Sequence, residues 1–93
     1  MQPLQEAEIE ASLAELARGW RRDGSKLVRD LELENFVAVI ALVDRIAEAA
    51  ESADHHPDLL IHDYRHLRVE LSTHSAGGLT ARDFSLAAAI DAL

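Results

Sequence analysis

The chain has 93 residues, 48% of them hydrophobic and 28% charged, which suits one small globular domain over residues 1–93 and excludes a disordered chain. Its formal net charge of −8 argues against direct binding of nucleic acid, which depends on neutralising phosphates, and against an anionic membrane surface. No apolar run could span a bilayer, and a chain without cysteine and without a basic, apolar leader is expected in the cytoplasm.

The first third of the chain predicts a helix followed by a β-hairpin. Residues 6–18 carry apolar side chains at helical spacing, and Gly19 is a typical residue for ending such a helix. Asp23-Gly24 is typical of a tight hairpin turn, and leucines at period two after it predict a half-buried strand, interrupted by Arg29. The apolar side chains behind these predictions are Ile9, Leu13 and Leu16 in the helix and Leu27, Leu31 and Leu33 in the second arm of the hairpin.

A second, longer helix is predicted to run from Phe36 to Ser52. Asn35 stands in front of it, where its side chain can accept a hydrogen bond from a free backbone amide. Pro57 prevents the helix from continuing and favours an extended backbone at His56. The residues at helical spacing that we expect to face inward are Phe36, Ile40, Val43, Ala47 and Ala50.

A second hairpin and a third helix complete the chain. The hairpin arms are residues 58–61 and 67–74, joined by a turn over 62–66, and apolar residues alternate with polar ones in the second arm. Two glycines at 77–78 break the strand. Residues 80–83 (Thr-Ala-Arg-Asp) match the capping box that opens a helix, and an apolar helical pattern follows.

The order of these elements, α-β-β-α-β-β-α, predicts an α+β fold. Hairpins form antiparallel strands, and amphipathic helices bury their apolar faces against a sheet. We therefore predict a two-layer sandwich in which about three helices cover one face of a four-stranded antiparallel sheet. Because a chain this short buries a limited share of its surface, we also expect it to form a homo-oligomer.

The five histidines are the main candidates for chemistry in a chain without cysteine. Histidine is the side chain best suited to transferring protons near neutral pH. If the strand over 67–74 returns beside the arm over 58–61, His74 comes back near His55 and His56 at one edge of the sheet. Such a cluster would suit acid/base catalysis on a small ligand.

Several of these residues also have a purely structural interpretation. His62 and His66 are expected in a turn, where both would be solvated. Trp20 near a turn is typical of a core or interface anchor. Thr80 and Asp83 form a helix cap on local grounds alone.

Two further alternatives concern the residues around the paired histidines. Glu51 and His55 are spaced i, i+4 and could form a simple pair on the helix surface. Three histidines and a carboxylate are also the ligand types that zinc prefers. However, adjacent His55 and His56 point in different directions on most backbones, and no His-Glu-x-x-His motif occurs. A metal site is therefore the less favoured interpretation.

A set of motifs runs in order from about Leu16 to Ile90, which is nearly the whole chain. Its members are Gly19-Trp20, Leu27-x-Arg29-x-Leu31-x-Leu33, Ala50-Glu51, His55-His56-Pro57, Tyr64, Thr73-His74, Gly78-Leu79-Thr80, Asp83 and Leu86-Ala87. Together this ordered set resembles the pterin-4a-carbinolamine dehydratase family. The segment between Pro57 and Tyr64 is one residue longer than in many members, and Leu59-Leu60 stand where an aromatic residue is frequent.

The resemblance implies a fold of the predicted kind and a homodimer or homotetramer. It also implies dehydration of 4a-hydroxytetrahydropterin to quinonoid dihydropterin, which recycles the cofactor of aromatic amino acid hydroxylases. No metal or organic cofactor is required, since the pterin is the substrate. A proton must reach the leaving oxygen on C4a while another leaves a ring nitrogen, and neutral and protonated imidazoles can share these tasks.

The resemblance also implies roles for individual residues. His55, His56 and His74 match the three active-site histidines of the family; we assign His55 and His74 as the acid/base pair, while His56 chiefly holds the pterin. Asp83 matches the active-site aspartate of the family, which would cap a helix and orient a histidine. The positions that border the pterin pocket are matched by Glu51, Asp54 and Trp20.

The alternative function is a non-catalytic interaction protein on the same fold. One animal member of the family also serves as a dimerisation cofactor for a homeodomain transcription factor. Some bacterial relatives that have lost active-site histidines serve as assembly factors for a carbon-fixing enzyme. His55, His56, His74 and Asp83 are all present here, which favours catalysis, although the fold itself does not decide function.

Overall fold

The computed structural model describes residues 2–93 and confirms the predicted α+β order of elements. None of the helices in these residues combines the length and hydropathy needed to span a bilayer. The helices are α1 (Glu6–Glu15), α2 (Phe36–Ala53) and α3 (Ala81–Asp91). The strands are β1 (Trp20–Asp23), β2 (Lys26–Glu32), β3 (Asp58–His62) and β4 (His66–Leu71), and a short 3₁₀ helix, His74–Ala76, follows β4.

The four strands form one antiparallel sheet in the order β1-β2-β4-β3. Helix α2 carries the chain from β2 to the far edge of the sheet, so β4 returns between β2 and β3. Leu71 at the end of β4 is paired with Leu27, and its neighbour Glu70 is paired with Asp58 at the start of β3. The segment that follows β4 and the segment that precedes β3 therefore meet at the same end of these strands.

One face of the sheet carries the core, because strand side chains alternate between its two faces. In β4, for example, Leu67, Val69 and Leu71 are buried while the residues between them are partly exposed. Burial of each large apolar side chain contributes roughly 1.5–3 kcal/mol. The buried core consists of Ile9, Trp20, Leu27, Val39, Ile46, Ala50, Leu67, Val69, Leu71, Leu79, Phe84, Leu86, Ala87 and Ile90.

Several predicted boundaries differ from the structure. Helix α1 ends at Glu15 instead of residue 18, because Leu16 is already extended. The β3–β4 turn is shorter than predicted, since His62 and His66 belong to the strands and pair with each other. Strand β4 stops at Leu71 instead of residue 74, because Thr73 donates its backbone amide to the Gly78 carbonyl at 3.3 Å and the chain turns back.

The predicted inward stripe of α2 is wrong at Phe36, Ile40 and Ala47, which are exposed, whereas Val43 is half-buried and Ala50 is buried. Phe36 and Ile40 are 47% and 38% exposed, and Val37 beside them is 75% exposed. The apolar run from Phe36 to Val43 has no polar side to mark which face meets the sheet, so its pattern leaves the rotation of the helix open. We call Phe36, Val37 and Ile40 the outer α2 patch. The α2 side chains that are buried are Val39, Ile46 and Ala50.

Candidate active site

The candidate site lies where the end of α2, the segment after β4 and the start of α3 meet. Asp54 ends α2 in a left-handed conformation with φ of 50°. The backbone amide of His55 still bonds to the Ala50 carbonyl at 3.1 Å, which holds His55 against the last turn of α2. His74 enters the same region from the sheet, as the first residue of the 3₁₀ helix.

His55 and Asp83 form a buried pair at the centre of this region. Nε2 of His55 lies 2.6 Å from Oδ1 of Asp83, and the two residues are 8% and 0% exposed. Oδ2 of Asp83 accepts the backbone amide of Thr80 at 2.9 Å, so the same carboxylate caps α3. A carboxylate is favourable at this end of a helix, where backbone amides and the helix dipole meet it. Asp83 thus connects the fold of α3 to the imidazole of His55.

Two buried threonine hydroxyls extend this network. Oγ1 of Thr73 donates to Oδ2 of Asp83 at 2.7 Å, and it lies 2.9 Å from Oγ1 of Thr80. Within residues 2–93, every buried side-chain nitrogen and oxygen has a hydrogen-bond partner. Sequence reasoning included Thr73 only as part of a motif and assigned it no role. Its position directly before His74 was the available signal.

His56 faces away from this network and pairs with Glu51. Both side chains are exposed, and Nε2 of His56 is hydrogen-bonded to Oε2 of Glu51. The i, i+4 pair considered for Glu51 and His55 is therefore wrong. The left-handed turn at Asp54 brings the His55 ring inward and returns the next residue to the exposed side of α2.

The rim of the site includes His74, Asp54 and Arg82. His74 is exposed and follows directly on Thr73. The carbonyl oxygen of Asp54 accepts a hydrogen bond from Nη2 of Arg82, which joins the end of α2 to the start of α3. Asp54 is itself exposed, as expected for a residue that borders a ligand site.

Trp20 lies apart from these groups within one chain. It is 8% exposed, its Nε1 donates to Oδ1 of Asp91 at 2.9 Å, and the Arg29 guanidinium lies 6.0 Å from its ring centre. Asp91 stands eight residues after Asp83 on α3, which is roughly 12 Å along the helix axis. These contacts match the alternative interpretation of Trp20 as a core anchor, and its contact with a ligand stays a prediction.

His62 and His66 lie at the opposite end of the second hairpin. Their rings are stacked with centres 5.4 Å apart, and Nδ1 of His62 is 2.8 Å from Oδ2 of Asp63. This hydrogen bond lowers the pKa of Asp63. Across residues 2–93, no three or more histidine, cysteine or acidic side chains are grouped so that they could hold a metal ion.

Concave shape alone does not identify the site. A groove of about 400 Å³ lies between α1 and α3, and another of about 310 Å³ lies beside the β1–β2 turn. Neither groove is lined by a histidine. The candidate site is therefore defined by its hydrogen-bonded polar side chains, because neither groove brings any of the histidines together.

A family model and similar known proteins point to the same family. The family model described as pterin 4 alpha carbinolamine dehydratase matches residues 2–93. A Nocardia farcinica protein is 51% identical over 90 residues, which cover 97% of this chain and 93% of that protein. A Chloroflexus aurantiacus protein is 50% identical over 91 residues, covering 98% and 96% of the two chains. Both are named "Putative pterin-4-alpha-carbinolamine dehydratase".

Two solved structures are similar as well. A crystal structure described as a transcriptional coactivator/pterin dehydratase from Brucella melitensis has a TM-score of 0.90 and 29% identity, over 98% of this chain and 97% of that chain. A pterin dehydratase-like protein identified as a RuBisCO assembly factor in the alpha-carboxysome has a TM-score of 0.67 and 20% identity, over 81% and 88%, which supports the fold alone. From its sequence and its fold together, the chain belongs to the pterin 4 alpha carbinolamine dehydratase family.

Proposed function

We propose that this protein is a hydro-lyase that dehydrates 4a-hydroxytetrahydropterin to quinonoid dihydropterin and water. The observation that carries the proposal is the buried His55–Asp83 pair, at 2.6 Å, in the region that the exposed His74 also enters. A buried carboxylate that holds one nitrogen of an imidazole is a common way to prepare that ring for proton transfer. Membership of a pterin dehydratase family supplies the substrate class.

The first part of the mechanism concerns His55. As a carboxylate, Asp83 can only accept hydrogen bonds, so the 2.6 Å contact requires the proton of the ring on Nε2. Nδ1 is then the nitrogen that can take up a proton and later release it. Asp83 stabilises the imidazolium that forms in between, without taking the proton itself.

The second part concerns the exposed histidines. His55 and His74 act as the acid/base pair: one removes the proton from the pterin ring nitrogen, and the other protonates the C4a hydroxyl as the C–O bond breaks and water leaves. His56, paired with the exposed Glu51, holds the pterin at the rim. Asp54 borders the ligand beside them. In this proposal the reaction uses no metal and no organic cofactor, because proton transfers alone are needed.

The proposal includes the biological setting. The product serves the recycling of the pterin cofactor of aromatic amino acid hydroxylases, and a chain without cysteine is suited to the cytoplasm. A non-catalytic assembly role is the alternative, since proteins described as a coactivator and as an assembly factor share the fold. The presence of all three histidines and of Asp83 supports catalysis over that alternative.

A second copy of the chain is proposed as the partner of the outer α2 patch. Phe36, Val37 and Ile40 are exposed, and no charged residue occurs in α2 before Asp44. Two such helices packed antiparallel would bury the same patch on both copies, as a two-fold interface requires. Sedimentation of wild-type protein and of Ile40→Glu tests this, since a wild-type monomer contradicts it.

The rate of 4a-hydroxytetrahydropterin decay, followed by absorbance, tests the catalytic proposal. We expect wild-type protein to accelerate the decay and His74→Ala to lower kcat by about 100-fold or more, the usual contribution of a general acid or base. His62→Ala is the matched control, because it removes a partly exposed histidine at the far end of the hairpin. Circular dichroism checks the fold of each variant. A folded wild-type protein without activity would leave the assembly role as the better explanation.

A further inference from the structure

We propose that Thr73 is a positioning residue that holds Asp83 in the rotamer required by His55 and joins both members of the acid/base pair in one rigid unit. The inference deepens the proposed dehydratase function, on which it rests. Thr73 is 3% exposed and sits between the end of β4 and the 3₁₀ helix that begins with His74. A residue so buried acts through its neighbours and does not touch a substrate.

The first argument is the direction of each hydrogen bond. Asp83 accepts at Oδ2 from the Thr73 hydroxyl at 2.7 Å and from the Thr80 amide at 2.9 Å. The single proton of the Thr73 hydroxyl is therefore committed to Asp83. The 2.9 Å contact between the two hydroxyls must then be a donation from Thr80 to Thr73. The Thr73 hydroxyl and the Thr80 amide thus occupy Oδ2, and Oδ1 can only accept from Nε2–H, which leaves one tautomer for a neutral His55.

The second argument is the position of Thr73 in the chain. Its backbone amide donates to the Gly78 carbonyl, and its carbonyl accepts from the Ala76 amide at 3.0 Å. These two hydrogen bonds turn the chain back around the short 3₁₀ helix, whose first residue is His74. The Thr73 side chain is bonded to Asp83, which in turn bonds to His55. One residue thus places both histidines relative to each other.

The test compares wild-type protein with Thr73→Val and Thr73→Ser. Thr73→Val keeps the shape of the side chain but turns a methyl group toward Oδ2 of Asp83. Thr73→Ser keeps the hydroxyl and should restore function. Ile46→Val is the matched control, because it loosens the α2 core without touching the network. Nitrogen-15 NMR of the His55 ring reports the tautomer, and steady-state kinetics with 4a-hydroxytetrahydropterin report kcat and KM.

We expect the Nε2–H tautomer of His55 in the wild type, in Thr73→Ser and in Ile46→Val, and a mixture of tautomers in Thr73→Val. In Thr73→Val, kcat should fall about 10- to 100-fold, by analogy with the range found when the partner that orients a metal-bound histidine is removed. KM should stay within about twofold, because Thr73 does not contact the ligand.

Two results overturn the inference. One is a folded Thr73→Val protein that keeps the wild-type tautomer and kcat. The other is a Thr73→Ser protein as impaired as Thr73→Val, because the hydroxyl would then not be the group that matters. If Thr73→Val does not fold, the same spectra on Thr73→Ala decide. If the wild type does not dehydrate the pterin, the proposed function fails, and the His55 tautomer still decides whether Thr73 positions Asp83.

Discussion

Two aspartates mark the two ends of α3, and they differ in the chemistry of their partners. Asp83, in the first turn, is fully buried and contacts the imidazole of His55 and the hydroxyl of Thr73. Asp91, the last residue of the helix, accepts from the Arg29 guanidinium and the Trp20 indole. Both carboxylates connect the same helix to other parts of the chain.

The difference shows that the two ends of α3 offer different chemistry. A guanidinium carries only hydrogen-bond donors, so Arg29 can only donate to Asp91. An imidazole has two ring nitrogens, so His55 can bond to Asp83 through one of them and exchange a proton through the other. Both positions carry the same type of residue, and the partner of each aspartate determines what the pair can do.

The largest expected effect comes from Asp83→Asn, which reverses the hydrogen bond to His55. The new amide oxygen can still accept from Thr73 and Thr80, while the amide nitrogen donates to Nε2 of His55. The proton of the ring then moves to Nδ1, and the nitrogen that should accept a proton is lost. We expect kcat to fall by about 10³–10⁴-fold, as when the aspartate of a serine protease triad becomes asparagine.

Rapid-mixing absorbance measurements with saturating pterin would check this value. Asp91→Asn is the matched control, since it makes the same chemical change at the other end of the same helix. A folded Asp83→Asn protein with a kcat within about threefold of the wild type would contradict the catalytic importance of the tautomer.

Local patterns predicted the elements well because local physics determines them. The Asn35 cap is present, with the Ala38 amide donating to it at 2.9 Å, and residues 80–83 form the predicted capping box. Both hairpins form in the predicted regions, although the first turn lies at residues 24–25, one residue later than predicted, because Asp23 pairs with Lys26 in the sheet. In each case the interacting residues are close in sequence, so their types and spacing carry the information.

Contacts between distant parts of the chain were harder to predict. The bond between His55 and Asp83 joins residues 28 positions apart, and the pattern of the chain alone gave no reason to expect it. A family resemblance implied that Asp83 orients a histidine but did not identify which one. The rotation of α2 was missed because eight apolar residues in a row, from Phe36 to Val43, offer no polar face. Trp20 matches a position that borders the pterin pocket, a role that stays a prediction, and in the structure it donates to Asp91, 71 positions away.

The second prediction concerns that contact. Asp91→Asn leaves Arg29, with a side chain only 21% exposed, without its carboxylate partner. We expect the free energy of unfolding to fall by about 2–3 kcal/mol, somewhat less than for a fully buried pair, as measured by urea denaturation. The kcat of the folded protein should not change. A loss of kcat comparable to that of Asp83→Asn would show that the two ends of α3 do not differ as argued, and a raised KM alone would support the predicted ligand contact of Trp20.

The smallest effect is expected at Asp30, which forms exposed ion pairs on the outer face of the sheet. Asp30 of β2 accepts from Nε of Arg68 and from Nη1 of Arg21, both at 2.8 Å. The hydrogen bond from Arg68, which has the larger effect, and the hydrogen bond from Arg21 lower the pKa of Asp30 below its usual value of 3.8. All three side chains are at least 40% exposed, so water and salt screen most of this interaction.

A carboxyl group with a lowered pKa in the folded state adds stability above its unfolded pKa, and this stability is lost as the pH falls through the folded value. Asp30→Asn should therefore reduce the free energy of unfolding by at most about 1 kcal/mol at pH 7. The difference from the wild type should shrink as the pH falls below 3.8 and should also shrink in about 1 M salt. Urea denaturation at several pH values would measure it. A larger loss that persists in acid would mean that Asp30 packs against the sheet in a way that charge does not explain. The burial of Asp83 and its partners would then no longer distinguish it from an exposed aspartate such as Asp30.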